Sequence, residues 1–129
     1  MLKLTGILIF LSVLLFPADG KILEKLGITP DQNTQIEKIM TEYRVPILKL
    51  VIQIRQEQLA KQYELLADEP GLDKIKAMIN KQVALESEKE YLEIERDQKI
   101  RKQLTKDQWM KFLQYRHMLK GQSEKNRKK

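Results

Sequence analysis

Leu104-Thr105-Lys106-Asp107-Gln108 and its earlier counterpart Ile28-Thr29-Pro30-Asp31-Gln32 share one pattern: an aliphatic residue, Thr, two spacers and Gln. Each copy marks a helix start. A Thr at the N-cap accepts from the backbone N–H three residues on, and a Gln there reaches back to the cap's own N–H. Asp31 and Asp107 stand in the first turn, where a negative charge complements the helix dipole. Pro30 falls at the first helical position, where proline costs nothing. Leu104 and Trp109 are spaced to form a hydrophobic staple around the second box. The first box has Asn33 in place of Trp109 and so has no staple. The expected role of Ile28, Thr29, Gln32, Leu104, Thr105 and Gln108 is to hold two helix starts.

Outward from these boxes the apolar spacing is helical. From Pro30 it runs through Ile36, Ile39, Met40, Tyr43, Ile47, Leu50, Val51 and Ile54, then drifts to Leu59, Tyr63 and Leu66. Pro46 lies within this stripe without shifting its phase. The reading is one long helix kinked near Pro46, or two nearly collinear ones. A helix from Pro30 to about Ala67 is roughly 55 Å long, so an elongated molecule is expected. Asp68-Glu69-Pro70-Gly71 is a turn. A second long helix runs to Gln103, apolar at Leu72, Ile75, Met78, Ile79 and Val83, then mostly charged with a thin seam at Leu85, Tyr91, Leu92, Ile94 and Ile100. A third begins at Lys106, with Gly121 as its stop and residues 121–129 as a disordered basic tail. The expected fold is all-α.

Ile47, Leu48, Leu50, Val51, Ile52 and Ile54 are too many apolar residues for one buried stripe. Either the helix is covered on two sides within one chain, or part of this face meets a partner subunit or a client.

The N-terminus reads as a leader. Met1-Leu2-Lys3 is a short positive region, Leu4 to Phe16 is almost wholly apolar, and Ala18-Asp19-Gly20 offers small residues for a cut after Gly20. The alternative is an uncleaved anchor, for which the apolar run is short. Residues 1–20 are therefore taken as a signal peptide and 21–120 as the helical domain. The chain of 129 residues has a net charge of +6, which removing Lys3 and Asp19 leaves unchanged. The absence of Cys rules out disulfides, thiol catalysis and a lipid-modified cysteine, and suits an oxidising compartment.

No catalytic constellation stands out, and His117 has no second His or any Cys to share a metal with. No enzyme activity, cofactor or metal is expected. Arg44, Lys49, Arg55, Lys61, Lys74, Lys81 and Arg96 interleave with apolar residues such as Val51 and Ile52. Such a surface suits loose binding of an unfolded chain. For an exported protein, nucleic acid is not an expected partner.

With two boxes framing a helical hairpin behind a leader, the chain resembles the Spy/CpxP family of periplasmic proteins, whose LTXXQ motif is intact at Leu104 to Gln108 and carries Ile28 for Leu in the first copy. The resemblance extends over roughly Leu26 to Leu119. It implies a long bent hairpin with short flanking helices that pairs antiparallel into a thin, curved homodimer. It also implies ATP-independent chaperone activity on unfolded envelope proteins in the periplasm. The alternative it implies is a stress-regulatory adaptor, or a heavy-metal sensor, acting on the periplasmic domain of a two-component sensor kinase. Metal-binding relatives use richer His, Glu, Met or Cys sets than this chain has.

Overall fold

The computed structural model describes residues 24–128, so the leader and its cut after Gly20 lie outside the described residues. The fold is all-α. Three helices follow one another: α1, Pro30–Glu64; α2, Leu72–Lys102; and α3, Lys106–Arg127. A short helical turn at 24–26 precedes them and ends at Gly27, whose φ of 67° is the left-handed conformation that glycine takes at no steric cost.

The helices contribute to two compact units. Among the described residues, one contains 24–40 together with 98–128; the other is Thr41–Asp97.

The first unit holds an apolar cluster of Leu26, Ile28, Ile36, Met40, Ile100 and Phe112. Ile39, Leu104, Trp109 and Tyr115 pack against it. Ile36 and Ile100 are fully buried. Trp109 and Phe112 stack with centroids 5.4 Å apart, and the Arg116 guanidinium lies 4.7 Å over the Phe112 ring. Leu104 and Trp109 thus both reach this cluster on either side of the Thr105 cap, as the staple pattern required.

The second unit is an antiparallel pair formed by the later part of α1 and most of α2. On α1 the inward positions Tyr43, Ile47, Leu50, Ile54, Glu57, Lys61 and Glu64 alternate four and three apart. On α2, Ile75, Met78, Gln82, Leu85, Lys89, Leu92 and Arg96 do the same, from the other phase. This is the spacing of a coiled-coil seam. Pro46 sits inside an unbroken α1. It is exposed, so water can serve the carbonyl that its missing N–H leaves without a helical partner.

Two expectations need correction. The inward stripe of α1 does not drift to Leu59, Tyr63 and Leu66. It stays in phase through Glu57, Lys61 and Glu64, because each of these meets a polar group on α2, and the three apolar residues are left exposed. Gly121 to Arg127 are not an unstructured tail but the last turns of α3, and Lys129 lies outside the described residues. Gly121 does not adopt the positive φ of a helix stop. Gln122, Glu124 and Lys125 are good helix formers, and Lys125 and Arg127 in the last turn suit the negative end of the dipole.

Candidate functional site

Both capping boxes close as their residues require. Thr29 N–H donates to Gln32 Oε1 at 3.0 Å, and Gln32 N–H donates to Thr29 Oγ1 at 3.2 Å. Thr105 and Gln108 repeat this at 2.9 Å and 3.2 Å. The two boxes also interlock. Gln32 Nε2 donates to Gln108 Oε1, and Gln108 Nε2 donates to Gln32 Oε1, both at 2.9 Å. The second N–H of each amide goes to a backbone carbonyl two residues before the opposite cap. Gln32 donates to Gln103 O at 3.0 Å, and Gln108 donates to Gly27 O. Each amide therefore uses two donors and two acceptor positions, its full capacity.

The arrangement has local two-fold character with an offset of 76 residues. Gly27 N–H to Glu24 O recurs as Gln103 N–H to Ile100 O. Asn33 N–H to Thr29 O recurs as Trp109 N–H to Thr105 O. Ile28, Ile36 and Ile39 correspond to Leu104, Phe112 and Tyr115, and all six belong to or pack on the same cluster. The correspondence fails at Asn33, whose Oδ1 is buried and unpaired where Trp109 supplies a ring. Six residues identified from the motif thus form one structural node.

The basic and apolar positions expected to bind clients lie in the second unit and are treated unequally. Arg44, Lys49 and Ile52 are exposed; Val51 and Arg55 are half-buried. Lys81 pairs with Glu57 at 2.7 Å, Lys74 with Glu64 at 2.8 Å, and Lys61 donates to Gln82 Oε1 at 3.0 Å. These three bind α1 to α2. Arg96 is 4% exposed and paired with Asp97 at 3.1 Å, which corrects its assignment to a contact surface. It occupies a seam position on α2, so its stem replaces an apolar side chain there. Nor is the hairpin basic as a whole: Thr41–Asp97 has nine Lys and Arg against twelve Asp and Glu. Of the six crowded apolar residues, Ile47, Leu50 and Ile54 are buried, Leu48 and Val51 are half-buried, and Ile52 is open.

What the sequence did not single out is the hairpin's tip. Tyr63, Leu66 and Leu72 are 80%, 81% and 79% exposed, and Leu65 beside them is also exposed. They surround the polar turn Asp68 to Gly71. Beneath them Glu64 is a clasp: its carboxylate accepts from Lys74 Nζ and from the Gly71 N–H at 3.3 Å. The Lys74 hydrogen bond, followed by that of Gly71, holds the Glu64 carboxyl below its ordinary value. The clasp fixes the turn while leaving the apolar residues outside it. One signal was available: Leu65-Leu66 and Leu72 flank a turn at positions that a two-helix seam cannot reach.

A second open stripe runs along α1 at Val45, Ile52 and Leu59, seven residues apart and exposed. It lies opposite the buried Tyr43, Ile47, Leu50 and Ile54, because a step of two residues from the seam turns the helix by more than half a circle.

His117 is exposed, and among the described residues no group of three or more His, Asp or Glu side chains is placed to hold a metal ion. Among the described residues no helix is long and apolar enough to cross a membrane. No family model matches the chain, and neither a curated protein nor a solved structure matches it.

Proposed function

We propose that this chain is an ATP-independent, holdase-type chaperone of the Spy/CpxP kind, exported to the periplasm, which holds unfolded envelope proteins on the apolar tip of its helical hairpin. The observation that carries the reading is the cluster of Tyr63, Leu65, Leu66 and Leu72 at the turn, among the most exposed large apolar side chains described. Leaving such residues in water opposes folding and solubility, and a patch of them marks a place where another chain docks. An irregular tip suits an irregular partner. An unfolded segment can lay apolar side chains there without matching a fixed register.

The stripe at Val45, Ile52 and Leu59 has a different geometry. A seven-residue repeat is what a second long helix takes up. We assign it to the homodimer, in which a second copy supplies the cover that two helices cannot give to both sides of α1. A monomeric mass by light scattering at micromolar concentration would remove the dimer from the account.

The test of the chaperone reading is suppression of aggregation of an unrelated unfolding protein, without ATP. Replacing Leu66 and Leu72 by Ser is expected to abolish suppression while leaving helix content and melting temperature unchanged. Equal suppression by this variant would place the clients elsewhere.

A further inference from the structure

Charge is strongly segregated along the described chain. Residues 24–97 have eleven Lys and Arg against fifteen Asp and Glu, a net −4. Residues 98–128 have ten against two, a net +8. The positive balance of the whole protein therefore resides in the end of α2 and in α3.

Within α3 the core contacts are confined to one side. Phe112 is buried, and Trp109, Tyr115 and Arg116 are half-buried. The opposite side exposes Met110, Leu113 and Met118, and Lys120 is exposed between the two sides. Past Leu119 the helix continues to Arg127 with Lys120, Lys125, Arg127 and Lys128 all exposed. At 3.6 residues per turn these four fall within about 160° of arc, on one side of the helix.

We propose that residues 98–128 are a docking arm for an anionic phospholipid surface, held there by charge. Three observations select this partner. The net charge is opposite in sign to a phosphatidylglycerol-containing bilayer and dense enough to act collectively. Met110, Leu113 and Met118 are flexible or aliphatic side chains that can enter the headgroup boundary while Lys and Arg stems reach outward. The aromatic residues of α3, which a single-stranded nucleic acid would need for stacking, are turned toward the core. With cations gathered on one side of its last turns, the arm adsorbs on the surface through charge.

Each Lys or Arg close to such a surface contributes roughly fivefold to partitioning, so replacing four of them weakens binding on the order of several hundredfold at low salt. The test is co-sedimentation of the full protein with vesicles of equal parts phosphatidylglycerol and phosphatidylcholine, and with vesicles of phosphatidylcholine alone. A variant with Lys120, Lys125, Arg127 and Lys128 all changed to Gln is run in parallel, with helix content checked by circular dichroism. The expected result is binding to the mixed vesicles only, reversed by molar salt and lost in the variant. An apolar leader would bind both lipids alike, so it cannot mimic this pattern. Equal binding to phosphatidylcholine, undiminished binding by the variant, or tighter binding to polyglutamate or duplex DNA than to the mixed vesicles at matched charge would each overturn the proposal. The last outcome would show a partner of another class.

Discussion

Gln32 and Gln108 exchange two amide hydrogen bonds, each donating to the other's Oε1 at 2.9 Å, across 76 residues of sequence. Each also closes its own capping box, so the first helix start and the third are held by one shared set of bonds. Gln32→Ala and Gln108→Ala should each cost about 2 kcal/mol, because each leaves the partner amide and a cap N–H unsatisfied. The double variant should cost clearly less than the two together, since the second loss removes groups already orphaned. Thr105→Ala, which breaks only a local cap, should cost about 1 kcal/mol. Urea unfolding of the set measures all of these. Strict additivity of the Gln32 and Gln108 effects would mean that the interlock has no energetic weight.

Asn33 is where the two halves of the node differ. Its Oδ1 is buried and unpaired, and it stands where the other box carries Trp109. Asn33→Leu should stabilise by about 1 kcal/mol, by removing the orphan acceptor and giving Ile28 a staple partner. A lower melting temperature for this variant would contradict the equivalence of the two positions.

Each box was legible in the sequence because a capping box is local: its bonds join residues three apart. The interlock was not, because nothing near Gln32 announces a partner 76 positions away. The same distinction explains the hairpin. The seam could be read as far as Ile54, where it is apolar. Beyond that it consists of Glu57, Lys61 and Glu64, whose burial depends on Lys81, Gln82 and Lys74 on the other helix. Apolar spacing alone then pointed to Leu59, Tyr63 and Leu66, which are in water. Exposed apolar side chains at the tip look, in a linear sequence, like the continuation of a core.

Arg96 illustrates the reverse error, a charged residue taken for surface. Arg96→Ala should cost about 2 kcal/mol, through lost packing and loss of the Arg96–Asp97 contact, whereas Arg44→Ala should stay within about 0.5 kcal/mol. Arg96→Met should recover much of the loss, since the stem is what fills the seam. Thermal melts of the three variants decide this. An Arg96→Ala protein as stable as the parent would return the residue to the surface.

The clasp at the turn predicts a titration. Glu64 is held below its ordinary value of 4.5 by Lys74 and then by the Gly71 N–H. A carboxylate depressed in this way stabilises the fold above its ordinary value, and that contribution is lost as pH falls through the lower folded value. Carboxyl carbon chemical shifts should show Glu64 titrating below 4.5, and Lys74→Gln should move it back up. Protection of the Gly71 amide from exchange should weaken over the same acid range. Titration of Glu64 at or above its ordinary value in the parent would show that the clasp does not form in solution.

The central claim is that an apolar hairpin tip holds unfolded chains. The most direct test is light scattering of an aggregating, unrelated client, with the parent protein and with the Leu66→Ser, Leu72→Ser variant, in the absence of ATP. The account predicts that the parent suppresses scattering near stoichiometric ratios and that the equally folded variant does not. Failure of the parent to suppress aggregation even at several-fold molar excess would contradict it.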